Sequence, residues 1–152
     1  MRRVLLAVSI ALVVGACTSP PPPERDKVLG PKLAAATMQA YETHGVVKID
    51  SLTTFPWERF YMFKPKQSPE QIDNILGFHW ATDYSDLTDT YCLFVFVVGK
   101  KVTHSLKFPR YEGDCLTIGE GPYTPQNAIF VVVSSNKTTG GQPFLRLARA
   151  PR

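Results

Sequence analysis

The chain has 152 residues, with 17 Lys and Arg against 13 Asp and Glu for a formal charge of +4, and 44% of its side chains are hydrophobic. That length suits one domain around one core and argues against more. No long run of Lys or Arg accompanies the small positive balance, so the clustered phosphate neutralisation that nucleic-acid binding draws on has no counterpart here.

The first element is a leader. Arg2 and Arg3 precede an apolar stretch of eleven residues, Val4 to Val14, closed by Gly15, Ala16 and then Cys17. A bilayer span needs about 20 apolar residues. A basic start, a short apolar middle and small residues before a cut site make a secretory signal peptide instead. The run Val14-Gly15-Ala16-Cys17 resembles the lipobox of bacterial lipoproteins. The resemblance implies that residues 1–16 are removed, that the Cys17 sulfur carries a diacylglycerol and that the new amino group is acylated. The alternative is an ordinary secreted protein with an incidental cysteine. In a cell with two membranes, Thr18 rather than an aspartate after Cys17 favours the periplasmic face of the outer membrane, by the same resemblance. Because Arg2 and Arg3 leave with the leader, the mature chain is closer to neutral.

Residues 17–30 follow as a lipidated cysteine and a tether. Four consecutive prolines, Pro20 to Pro23, fix φ and withhold backbone donors, which keeps the segment extended. At about 3.1 Å per residue it would hold a domain up to roughly 40 Å from the lipid. Residues 31–152 then form the domain. Pro31 suits a helix start, Leu33, Ala36, Ala40, Tyr41 and His44 recur at helical spacing, and Gly45 supplies a stop. Val46, Val47 and Ile49 suggest a strand that Pro56 ends. Trp57 to Phe63 reads as a strand entering a covered core. Ser68-Pro69-Glu70-Gln71 is a capping box with proline at the first helical position, and it opens a helix of about two turns with Ile72, Ile75 and Leu76 on one face and Gly77 at its end. Phe78 to Trp80 reads as a brief strand before a polar loop from Ala81 to Thr90.

Tyr91 to Val98 is apolar at both alternating sets of positions, the pattern of a central strand covered on both sides. Gly99-Lys100 makes a two-residue hairpin loop of type II′. The loop sets a register with Val98 opposite Lys101, Val97 opposite Val102, Val95 opposite His104, Leu93 opposite Leu106 and Tyr91 opposite Phe108. On that register Val102, His104, Leu106 and Phe108 share the core face. Cys92, Phe94 and Phe96 then lie opposite Lys107, Ser105 and Thr103 on a face that needs a cover. Lipidation of Cys17 leaves Cys92 and Cys115 as the only possible pair, and in an exported chain two such cysteines form a disulfide; two free thiols are the alternative. The bond would close about 24 residues, worth about 3.4 kcal/mol of chain entropy, and would draw the loop after Pro109 across that face. Leu116 to Ile118 reads as a short strand. Ala128 to Val133 reads as a second interior strand, and a polar turn from Ser134 to Gln142 leads to its antiparallel partner, Phe144 to Ala148. The fold class is α+β: a single domain, mainly an antiparallel sheet of about five or six strands with two helices on one face.

Candidate chemistry is thin. His44, His79 and His104 could in principle hold zinc, but no local ligand frame joins them, so no metal or cofactor is expected. Asp83, Asp86 and Asp89 lack the alternate spacing and central glycine of a calcium loop and read as a solvated acidic loop. Ser105 beside His104 points to the opposite sheet face, and no nucleophile elbow, phosphate loop or dinucleotide fingerprint occurs. Glu58 and Glu70 form no recognisable acid pair. Asn136-Lys137-Thr138 matches a glycosylation acceptor, an idle match in a bacterial lipoprotein. Arg146, Arg149 and Arg152, three apart, could touch anionic head groups, or form a solvated basic end.

Trp57 to Phe63, Pro65, Ser68 to Ile72 and Leu76-Gly77-Phe78, with Phe108-Pro109-Arg110 later, resemble a pattern in small, largely uncharacterised bacterial lipoproteins. The likeness brings no assigned activity. The reading is a non-catalytic, lipid-anchored envelope protein that faces the periplasm, reaches the membrane through Cys17 and binds an envelope protein. The candidate binding surface is Trp57, His79, Trp80 and Tyr84, since aromatic side chains anchor interfaces; the alternative is that Trp57 and Trp80 fill the core. Two other classes stay open, an immunity-type inhibitor of a periplasmic toxin and a small hydrolase of envelope polymers.

Overall fold

The computed structural model of the chain describes residues 27–80, 89–139 and 142–150. The leader, Cys17, the proline run, Tyr84, Asp83, Asp86 and Arg152 lie outside the described residues. In chain order the elements are α1 (Leu29–Thr43), β1 (Val46–Lys48), α2 (Ile49–Leu52), β2 (Arg59–Phe63), α3 (Pro69–Leu76), β3 (Tyr91–Val98), β4 (Lys101–Pro109), β5 (Ile129–Thr139) and β6 (Gln142–Arg149). The six strands form two antiparallel three-stranded sheets, β1-β5-β6 and β2-β3-β4. The α+β class therefore stands, while the expected single sheet is replaced by two.

The helices divide between the sheets instead of sharing one face. α1 starts two residues before Pro31, because Leu29 is buried in the core and the first turn has no use for a proline N–H. It buries Leu33, Thr37 and Ala40, and the Thr37 hydroxyl donates to Leu33 O at 2.8 Å, so the one polar group on that stripe is paired. Together with Val47, Phe130 and Leu147 of the first sheet, this stripe packs against Phe60, Met62, Phe94, Phe96, Leu106 and Phe108 of the second. The other face of the second sheet carries Tyr61, Phe63, Leu93, Val95 and Val97, and α3 covers it with Ile72 and Leu76. β3 is thus buried on both faces, as its continuous apolar sequence requires.

α3 forms as its capping box specifies. Gln71 N donates to Ser68 Oγ at 3.2 Å, Ser68 N donates to Gln71 Oε1 at 2.8 Å, and the helix closes at Gly77 in the left-handed region. Ile75 is the exception to the expected face: it is 37% exposed while Ile72 and Leu76 are buried, each worth about 2 kcal/mol in apolar area removed from water. The segment Phe78 to Trp80 is not a strand.

The β3–β4 hairpin turns at Gly99-Lys100, with φ of 56° at Gly99 as the II′ geometry asks. Its register departs from expectation two residues later. Val98 faces Lys101 and Val97 faces Val102, but Thr103 bulges, so that Phe96 pairs His104, Phe94 pairs Leu106 and Cys92 pairs Phe108. The extra residue turns His104, Leu106 and Phe108 to the face of Cys92, Phe94 and Phe96 and leaves Val102 on the face of α3. That face packs against α1 and the first sheet, and the loop after Pro109, bonded through Cys115, adds Cys115 and Ile118 to the same core. β5 and β6 also run further than their apolar segments, the ladder continuing to Thr139 and Gln142. Leu116 to Ile118 forms a turn rather than a strand.

Candidate functional site

Cys92 and Cys115 are bonded, with their Cα atoms 6.3 Å apart, and both are buried. Cys92 belongs to the second sheet. Cys115 follows Asp114, whose N–H donates to Leu145 O at 2.9 Å and whose carbonyl accepts Leu147 N–H at 3.0 Å, so that it extends the first sheet beyond β6. The disulfide therefore spans from one sheet to the edge of the other. The intervening loop is held by Arg110, whose Nε donates to Asp114 Oδ1 at 2.6 Å and whose Nη1 donates to Asp89 O at 2.6 Å. Asp114 is buried, and its Oδ1 accepts from both Arg110 Nε and Leu116 N–H, the latter at 3.4 Å. In the sequence Arg110 stands out only as part of Phe108-Pro109-Arg110 and Asp114 not at all; their pairing comes from a spacing of four residues around a turn and needs the fold to be seen.

The residues expected to form a binding surface are separated. Trp57 is 7% exposed and lies in the core between the sheets, where its Nε1 donates to Thr53 Oγ1 at 3.0 Å. Trp80 is 6% exposed and lies in the core under α3, on the opposite face of the second sheet. Both tryptophans are core residues, because a large ring beside so many phenylalanines gains more from burial than from exposure. Tyr84 lies outside the described residues, and of the four only His79 is shown at the surface, its side chain 79% exposed. Asp73 fixes this corner: Oδ2 sits 2.6 Å from His79 Nδ1, Oδ1 accepts Trp80 N–H at 2.8 Å, and its carbonyl accepts Gly77 N–H at 2.8 Å. One aspartate thus closes α3 and aims the chain that follows.

The three histidines are apart. His44 caps α1 in the left-handed conformation, His79 rests on Asp73, and His104 stacks on Phe55 with ring centroids 4.2 Å apart. Among the described residues no three His, Cys, Asp or Glu side chains converge as a metal site would require. Asp89 pairs Lys66 Nζ at 2.9 Å. Arg146 and Arg149 stand on opposite faces of β6, as a spacing of three in a strand dictates, so they form no common patch. Arg149 instead lies 5.7 Å from the centre of the Tyr123 ring. The Tyr123 hydroxyl donates to Gly119 O at 2.7 Å; burial raises its pKa above the ordinary tyrosine value, the Arg149 charge opposes the rise and Glu120 adds to it.

One concavity joins several elements. A half-open cleft of about 240 Å³ is lined by Ala36, Gln39, Ala40 and Thr43 of α1, by Gly45 and the whole of β1, and by Ser51 and Leu52. Nothing in the sequence marks these residues, since the cleft arises where a helix and the short strand after it diverge. Comparisons with protein-family models, curated proteins and solved structures found no match.

Proposed function

We propose that this protein is a non-catalytic, lipid-anchored module of the cell envelope that binds another protein at the periplasmic face of the outer membrane. The observation that carries the reading is the combination of an export-type leader ending at Cys17 with a buried Cys92–Cys115 disulfide. A structural disulfide of this kind belongs to an oxidising compartment. With Cys92 and Cys115 bonded to each other and Cys17 assigned to acylation, each of the three cysteines of the chain has a role outside the cytosol. The proline run beyond the anchor gives the domain reach, which suits contact with a partner away from the lipid.

Labelling cells with radioactive palmitate and fractionating their membranes tests the anchor. Wild-type protein is expected to carry label in the outer-membrane fraction. Cys17→Ser is expected to lose the label and leave that fraction while melting at the wild-type temperature. Label retained by Cys17→Ser would defeat the lipid reading.

A further inference from the structure

A sheet exposes backbone donors and acceptors along each outer strand, and three of the four outer strands here are managed. β2 is covered by the segment from Glu120 to Tyr123, through Met62 N–H to Glu120 O at 3.0 Å, Phe60 N–H to Tyr123 O at 2.8 Å and Tyr123 N–H to Phe60 O at 2.9 Å. Gly121, with φ of 106°, permits that approach, since a Cβ there would stand 2.8 Å from Phe60 O. β6 is covered by Asp114. β4 carries the Thr103 bulge and lysines at 101 and 107, features that discourage pairing. β1 has no bulge and, among the described residues, no segment hydrogen-bonded along its outer side; it carries one lysine, Lys48.

The hydrogen-bond parity of β1 shows which groups it offers. Ile49 N–H donates to Ala128 O at 3.1 Å, and the register places Val47 opposite Phe130 two residues earlier. In an antiparallel ladder this turns the N–H and C=O of Val46 and Lys48 away from β5. The Lys48 carbonyl is taken by the Ser51 hydroxyl at 2.8 Å. Val46 N–H, Val46 C=O and Lys48 N–H have no hydrogen-bond partner among the described residues. They border the α1–β1 cleft, whose lining among the described residues holds one charged side chain, Lys48, and no carboxylate.

We propose that this cleft takes an extended peptide segment of a partner protein, added as a strand on β1 and carrying a carboxylate beside Lys48. The proposal rests on the reading of the protein as a binding module and names its surface. The peptide backbone meets Val46 N–H, Val46 C=O and Lys48 N–H. Its side chains alternate between solvent and the α1 stripe of Ala36, Gln39, Ala40 and Thr43. An anionic residue is favoured because it meets Lys48, the one charged side chain lining the cleft among the described residues.

The test uses the full chain in detergent, with pentapeptides alternating valine and threonine that end in a free carboxylate, contain a glutamate, or have neither. Saturable amide shifts confined to residues 36–52, at least fivefold stronger for the two anionic peptides, are expected. Lys48→Glu should remove that preference. Val46→Pro should abolish binding by deleting a donor while melting at the wild-type temperature. Shifts located elsewhere, equal binding by Lys48→Glu, or concentration-dependent self-association through β1 would overturn the proposal. Photocrosslinkers in cells at Gln39 and Ser51, and at Glu70 and Lys100 as remote positions, separate the two readings. A specific partner caught only from the remote positions sinks the cleft but keeps the binding module, and none from any position sinks both.

Discussion

The carboxylate of Glu58 accepts the Gly99 N–H at 2.8 Å, although 41 residues separate them along the chain. The neighbouring Arg59 guanidinium donates to the carbonyl of the same glycine, so the residues that lead into β2 grip both polar groups of the hairpin turn. Arg59 also reaches the Tyr61 hydroxyl at 3.3 Å. Glu58→Ala is expected to cost about 1 kcal/mol in urea unfolding. Hydrogen exchange should quicken at Gly99 while β3 amides stay protected. Unchanged exchange at Gly99 would mean that the turn needs no support from Glu58.

Replacing both Cys92 and Cys115 with alanine should destabilise the domain by about 2–4 kcal/mol. Because Asp114 is positioned by its neighbour Cys115, the loss should also free the Asp114 N–H from Leu145 O. Hydrogen exchange at Asp114 and Leu147 reads that step separately from global stability. Full protection of both amides in the double variant would show that the Arg110–Asp114 pair suffices.

Ile72→Ala should cost about 2–5 kcal/mol, as a fully buried side chain leaving a cavity does. Ile75→Ala, three residues on, should cost less than about 1 kcal/mol because its side chain remains partly in water. Denaturant midpoints of the two variants decide the matter, and equal losses would mean that α3 packs through a different face.

Alkaline pH tests Tyr123. Its folded pKa lies above the unfolded value, so the folded state holds the proton more tightly. The stability this contributes is fully present below about pH 10, the unfolded pKa, and is lost as pH rises from there through the folded pKa. The stability difference between wild type and Tyr123→Phe should therefore shrink or change sign above about pH 10 in favour of the variant. A difference independent of pH up to 12 would show that Tyr123 titrates alike in both states.

Much of the local structure was legible because it is written in adjacent residues. Ser68, Pro69, Gln71 and Gly77 specify α3 between them, Gly99 sets the hairpin, and the unbroken apolar run from Cys92 to Val97 announces a strand with two covered faces. The failures are non-local. One extra residue at Thr103 reverses the facing of everything after it in β4, and alternation alone reads the same with or without a bulge. Polar residues from Ser134 to Thr139 continue β5 because their pairing with β6 does not depend on burial. Strand order across two sheets is set by packing between distant segments, so no pattern within one segment could separate two sheets from one. Trp57 and Trp80 illustrate the same limit for the site. An aromatic side chain is equally suited to a core and to an interface, and only its neighbours decide.

The disulfide joins residues 23 apart and encloses the whole of β4 and its turn. Under a mechanical load applied to the chain on either side of the bond, tension would pass through the sulfur bridge and bypass that stretch. At about 3.6 Å per extended residue, roughly 80 Å of chain stays out of reach of a pulling force until the bond is reduced. The domain pulled from both sides would thus yield a shorter extension when oxidised, with the β3–β4 hairpin as the part that resists longest.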